Sequence, residues 1–309
     1  MPQLKVIFPA FLILLLTIFG CSSDEEKKTA HFEKGSAYFA EDKYKSARLE
    51  FKNAIQLDPK YTLAHQKLGE TNLKLGDARE AFRAYSSVAE LAPENTEAQL
   101  KLATFLMLAK KLQASRKKVN LVLDREPGNI DALLLLGGIY SRENNLSEAE
   151  STFKKVLESD SRQVPAYLGL SHVLAAQGKL KEAESILKQA VDVDPASLET
   201  RLALFDFYLR VERLDRAEAL IKEIVADNPE NAGMYVVMGN FYSRLAQPDL
   251  AEAAYLKAIE IDPANIRPRV ILANFYAAAE NKEKTLETYY QVLEIEPDNI
   301  QVMHALAGD

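Results

Sequence analysis

Apolar and small residues recur along this sequence in a register that repeats every 34 positions. Let a unit be numbered so that Pro59, Pro93, Pro127, Pro195, Pro229, Pro263 and Pro297 fall at position 32. Leucine then stands at position 7 in Leu68, Leu102, Leu136, Leu170, Leu204 and Leu272, and tyrosine at position 11 in Tyr38, Tyr140, Tyr208, Tyr242 and Tyr276. Position 24 carries large apolar groups such as Phe51, Phe153 and Tyr255. Two other positions are small. Position 8 reads Gly35, Gly69, Ala103, Gly137, Ser171, Gly239 and Ala273, with Phe205 the exception, and position 20 reads Ala47, Ala81, Ser115, Ala149, Ala183, Ala217, Ala251 and Thr285. Small groups at two fixed sites let paired antiparallel helices approach closely, whereas a bulky group there would force strain of about 1–3 kcal/mol. The proline cannot continue the second helix, so Asp58-Pro59, Asp194-Pro195 and Asp262-Pro263 mark turns into the next unit.

This pattern predicts an all-α chain in which residues 28–299 divide without gaps into eight helix-turn-helix units. They begin at Lys28, Thr62, Thr96, Ile130, Val164, Leu198, Ala232 and Ile266. With so many positions in register, the chain resembles the tetratricopeptide-repeat family over those residues. The resemblance implies a solenoid of stacked helix pairs in a right-handed superhelix, whose inner, concave face is built mainly by the first helix of each unit. Such an array offers a long surface and no closed catalytic pocket. Residues 300–309 carry Leu306 and Ala307 at positions 7 and 8, and read either as a capping helix or as part of a ninth unit.

Two units depart from the pattern. The third lacks small residues around Lys110 and has Ser115 and Arg125 where alanine and an apolar residue are usual. The fourth ends Glu158-Ser159-Asp160-Ser161, with neither its proline nor an apolar residue at position 30, and Pro165 follows closely. A loosened junction between units four and five is therefore expected.

The start of the chain has a different character. Val6 to Phe19 is an almost wholly apolar run of about 14 residues, against roughly 20 for a membrane span, and it contains Pro9. Lys5 precedes it and Ile18-Phe19-Gly20-Cys21 closes it, which resembles the signal peptide and lipobox of bacterial lipoproteins. Ile18 and Gly20 match that pattern, and Phe19 departs from it. The resemblance implies that residues 1–20 are a signal peptide and that Cys21 is acylated, anchoring the chain peripherally to a membrane. Residues 21–27 would form a polar tether. Ser22, where an aspartate would resemble an inner-membrane retention signal, favours the outer membrane and a periplasm-facing chain.

Composition narrows the function. Of the residues, 48% are hydrophobic, and 45 acidic against 38 basic side chains give a net charge of -7 with no basic block, so nucleic acid is not expected as a partner. Cys21 is the only cysteine, which excludes an intramolecular disulfide. His31, His65, His172 and His304 have no metal-ligand spacing, and neither a phosphate-cradling glycine loop nor a nucleophile with its base is present. No catalysis, cofactor, metal or small-molecule substrate is therefore expected.

What remains is a surface. By the family resemblance, positions 5, 9, 12 and 13 face the groove, where a protein or peptide would bind. Leu100, Leu134, Leu168 and Leu202 at position 5 form either an apolar ligand track or the inner edge of the packing core. Position 5 has no lysine, so the carboxylate clamp for acidic chaperone tails is absent. Position 13 supplies Lys74, Arg142, Arg210 and Arg244, and position 9 supplies Asn240 and Asn274, whose amides can both donate to and accept from an extended backbone. The regular repeats resemble those of lipoproteins beside exopolysaccharide and protein export systems. Pilus assembly, outer-membrane-protein assembly and a self-associating scaffold are the competing expectations.

Overall fold

The computed structural model describes residues 23–307, so the signal-like segment and Cys21 lie outside the described residues. Among these residues every regular element is a helix, and the chain divides into two compact units at Asn144 and Asn145. The unit ending at Asn144 contains α1 (Asp24–Ala40), α2 (Tyr44–Leu57), α3 (Thr62–Lys74), α4 (Ala78–Leu91), α5 (Thr96–Leu108), α6 (Leu112–Leu123) and α7 (Ile130–Arg142). The unit beginning at Asn145 contains α8 (Leu146–Ser159), α9 (Val164–Ala176), α10 (Leu180–Val193), α11 (Leu198–Arg210), α12 (Leu214–Asp227) and α13 (Ala232–Arg244). It continues with α14 (Pro248–Ile261), α15 (Ile266–Ala278), α16 (Lys282–Ile295) and α17 (Ile300–Ala307).

The first helices α3, α5, α7, α9, α11, α13 and α15 begin at the residues that open the sequence repeats. Asparagine or serine just before them sets those starts: Asn95, Asn129, Ser197, Asn231 and Asn265 accept from the first free N–H groups of α5, α7, α11, α13 and α15. Asn299 does the same for α17, which packs on α16. The first helix α1 starts earlier than the repeat. Ser23 and Glu26 close a capping box, and Asp24, Glu25 and Glu26 oppose the helix dipole, so the expected tether is helical from Asp24 onward.

In three hairpins a glycine at position 8 faces an aromatic ring at position 24. A Cβ added to Gly35 would lie 2.8 Å from the Phe51 ring, one on Gly69 2.9 Å from Tyr85, and one on Gly239 2.5 Å from Tyr255. Where the position-24 residue is smaller, as in Val119, Leu187 and Ile221, position 8 is filled by Ala103, Ser171 and Phe205. The outlying Phe205 is thus buried and packs on Phe241 at 5.8 Å between ring centres. Ser115, the serine at a position usually alanine, is fully buried and donates its hydroxyl to the Ala103 carbonyl at 2.7 Å.

Between the helices of a hairpin, position 15 adopts a left-handed backbone throughout: Asp42, Gly76, Lys110, Asn144, Gly178, Glu212, Ala246 and Glu280 have φ between 54° and 78°. The following N–H then bonds back to the first helix, as Arg213 does to Tyr208 at 2.9 Å and Asn281 to Tyr276 at 3.0 Å. Only Gly76 and Gly178 adopt this shape without a Cβ penalty. Glu212→Gly and Glu280→Gly are expected to raise stability by about 0.5–1 kcal/mol each, the relief of strain less the added freedom of the unfolded chain. Urea unfolding would register this as a higher midpoint, and a lower one would mean the glutamates stabilise the native turn.

The junction expected to be loose is closed. Asp160 has the extended backbone of Asp194 in the corresponding turn, and its carboxylate accepts from the Arg162 N–H at 3.0 Å and the Gln163 amide at 2.8 Å. The missing proline removes one helix stop, but the turn keeps the aspartate bond that Asp58 makes beside Pro59, where the Lys60 N–H donates to it at 3.0 Å. Tyr167 donates to the Ser161 carbonyl at 3.0 Å. That contact recurs at position 4, where His65, Gln99 and Arg269 reach the carbonyls of Pro59, Pro93 and Pro263. Arg125 likewise reaches the Pro93 carbonyl.

Candidate functional site

Within each unit the first helices leave an open cleft. In the unit ending at Asn144, α5 and α7 enclose about 760 Å³ lined by Leu100, Lys101, Thr104, Leu134 and Leu135, with Glu97 and Asp131 at the rim. In the unit beginning at Asn145, Leu168, Leu209, His172, Asp206, Arg210 and Arg244 line about 480 Å³ between α9, α11 and α13. The position-5 leucines are half-buried in both. Leu100 packs its inner side on the core around Ala103, Val119 and Leu136 and turns its outer side to the cleft. The two readings of these leucines therefore describe two sides of one side chain.

Arg210 and Arg244 share the second cleft with Leu168, and Arg142, Arg210 and Arg244 are exposed. Leu202 is half-buried and lines neither cleft. Asn240 and Asn274 are exposed, but their carbonyl oxygens accept from the Tyr255 and Tyr289 hydroxyls at 2.9 and 2.6 Å. Each asparagine thus keeps its amide N–H groups for a partner, while its carbonyl oxygen already accepts one hydrogen bond within its own hairpin.

Successive hairpins of the second unit are joined by a ladder at positions 21 and 11. The Tyr208, Tyr242 and Tyr276 hydroxyls donate to Glu184, Glu218 and Glu252 at 3.1, 3.2 and 2.7 Å. Cations complete each rung: Arg213, Arg216 and Lys188 on Glu184, Lys222 on Glu218, and Lys284 on Glu252. Glu150 has no tyrosine partner and takes Lys154 at 2.6 Å and Lys179 at 2.9 Å, which pull its pKa from 4.5 down to about 2. Burial pushes the Glu184 carboxyl up, but its hydrogen bonds and cations win and hold it below the ordinary value. Burial raises the Tyr208 and Tyr276 hydroxyls, and acceptance by the glutamates raises them further. Reading the tyrosines only as packing bulk missed this ladder, although a Glu and a Tyr recurring 24 residues apart was its signal.

Among the described residues no cluster of His, Cys, Asp or Glu could hold a metal ion, and no helix is long and apolar enough to cross a membrane. What the geometry provides is one open, partly apolar surface in each unit.

Family models described as tetratricopeptide repeat match residues 67–130, 120–171, 174–237 and 232–265, and one described as TPR repeat matches residues 35–76. The chain is built of tetratricopeptide repeats. A TPR protein from Parabacteroides merdae shares the fold with a TM-score of 0.65 at 21% identity, covering 86% of this chain and 99% of that one. MamA matches with a TM-score of 0.51 at 19% identity, over 55% of this chain and 93% of that one. PilW, a type IV pilus biogenesis factor, matches with a TM-score of 0.57 at 18% identity, over 65% and 94%. No curated protein matches the sequence significantly. In the TPR frame the clefts lie on the first helices of successive repeats, so the chain presents neighbouring repeats, rather than a single pocket, to whatever binds there.

Proposed function

We propose that this TPR chain is a lipid-anchored adaptor, and not an enzyme, that faces the periplasm from the outer membrane and holds protein partners on its first-helix surfaces in an envelope assembly or export system. Export of exopolysaccharide or protein is the favoured setting. The observation that carries the reading is the pair of open clefts with half-buried leucines, Leu134 in one unit and Leu168 in the other. An already half-desolvated leucine contributes about 1 kcal/mol on full burial, about half the value for a fully exposed one. The exposed arginines contribute roughly 0–1 kcal/mol each and only at low salt. A pilus-assembly role is the second reading, favoured by the fold shared with a type IV pilus biogenesis factor.

Crosslinking in cells, with a photoreactive residue at position 134 or 168, should trap a polypeptide partner. Leu134→Ser with Leu168→Ser should weaken that capture by about 10–30-fold, and Arg142→Gln with Arg210→Gln by less than about fivefold. Circular dichroism would first establish that both variants keep their helices. Equal capture by the leucine variant would remove the first-helix surfaces as the binding site. For the anchor, wild type is expected to incorporate labelled palmitate and to sediment with membranes, and Cys21→Ala to do neither. Label persisting in the Cys21→Ala chain would rule the lipoprotein reading out.

A further inference from the structure

A second apolar opening lies away from the first-helix clefts, within the unit beginning at Asn145. It is a slot of about 370 Å³ between α12 and α14, floored by Tyr235, Met238 and Tyr242 of α13. Val225, Ala226, Leu250, Ala253 and Ala254 form its walls and Lys222 and Lys257 its rim, and no carboxylate lines it. The slot exists because several repeat positions change character together. Position 23, which is Ile186 and Leu220 in the two preceding repeats and Ala84 in the second, is the small Ala254 in the slot wall. Position 29 is acidic in Glu90, Asp124, Glu158, Asp192, Glu260 and Glu294, and is Ala226 here. Position 19, polar in Glu80, Glu148, Glu182, Arg216 and Lys284, is Leu250, which is 47% exposed. Neutral drift at one site would not remove the filler and the acid and add an exposed leucine around the same opening.

We propose that this slot is a second docking surface, which takes one bulky apolar side chain from a partner polypeptide whose neighbouring residues are acidic. Size and charge select that occupant. The volume is at the low end for ligand sites and suits a single leucine, isoleucine or phenylalanine anchor. At the rim Lys222 holds Glu218 at 2.7 Å and Lys257 holds Glu260 at 2.9 Å, both on their own helices. Each ammonium has further N–H donors, and Lys222 is exposed and Lys257 half-buried, so an incoming carboxylate meets donors without meeting an acid at the wall. The Tyr242 hydroxyl is already committed to Glu218, which leaves the floor apolar.

The test pans a phage-displayed random peptide library against the full chain, with the Ala254→Leu chain as soluble competitor. Enriched peptides should carry one bulky apolar residue beside Asp or Glu. Their binding should fall about tenfold or more in Ala254→Leu, which fills the slot, and in Ala226→Glu, which restores the acid usual at that position. Lys222→Gln with Lys257→Gln should lower it about threefold to tenfold, and Leu134→Ser should leave it unchanged, which separates this surface from the first-helix clefts. Both slot variants install residues that other repeats carry at the same positions, so they are expected to melt like the wild type; should Ala254→Leu misfold, Ala226→Glu carries the test alone. Enrichment of peptides without acidic residues, or of none that discriminate the variants, would overturn the proposal. So would wild-type binding to phosphatidylglycerol vesicles that Ala226→Glu abolishes, because the surface would then face a membrane.

Discussion

Phe51→Ala is expected to cost the first unit about 3–5 kcal/mol, the range for emptying a well-packed aromatic site. Phe51 is fully buried among Ala47, Leu68 and Ala84, and its ring also meets Phe32 at 5.7 Å between centres. The cavity has little prospect of collapsing, since the residue facing the ring is Gly35, which has no side chain to move into the space. Gly35→Ala alone should also destabilise, because its Cβ would lie 2.8 Å from that ring. The pair Gly35→Ala with Phe51→Val, however, reproduces the Ala103 and Val119 combination that another hairpin of the same unit already uses. Its cost should therefore fall below the sum of Gly35→Ala and Phe51→Val made singly by about 1–2 kcal/mol, within the range seen for residues in contact. Urea unfolding of the four chains measures the coupling, and strict additivity would show that positions 8 and 24 are not matched by volume.

Acid is expected to weaken the second unit through its row of glutamates. Glu150 has a folded-state pKa of about 2 against an ordinary 4.5, so its contribution is complete above about pH 4.5 and is lost as the pH falls toward 2. The full shift corresponds to about 3 kcal/mol, but Lys154 and Lys179 are 51% and 40% exposed, and solvent screening reduces that to about 1–2 kcal/mol. Glu184, Glu218 and Glu252 are also held below their ordinary values and lose stability in the same direction. Thermal melts between pH 5 and pH 2 should show a smaller decline for Glu150→Gln than for the wild type, and a smaller one for both in high salt. Parallel declines would mean that the Glu150 pairs contribute nothing to folding.

The repeat frame was legible because its causes are local or strictly periodic. Proline stops a helix wherever it occurs, small residues at positions 8 and 20 permit close approach in every hairpin, and a fixed spacing carries these facts along the chain. The left-handed turn at position 15 was only partly legible, since glycine announces it in Gly76 and Gly178 while Lys110, Glu212 and Glu280 adopt the same shape under the constraint of the hairpin. The glutamate and tyrosine ladder lay in the same register but joins different repeats. An amphipathic tyrosine at a packing position does not reveal whether its hydroxyl has a partner.

Of the expected site residues, Leu100, Leu134, Leu168, Arg210 and Arg244 line the clefts, while Leu202, Arg142, Asn240 and Asn274 line neither. By itself the sequence determined the helical class, the period, the hairpin starts and the position of each repeat's small and bulky groups. Tertiary structure alone decided that the Asp160 turn closes without a proline, that Asn240 and Asn274 accept from tyrosine hydroxyls of their own hairpins, and that Ala226 and Ala254 face one slot. Each of these depends on which atoms of a neighbouring helix fill or leave a few ångströms of space, and one-dimensional periodicity fixes the register of such neighbours without fixing the volume left between them.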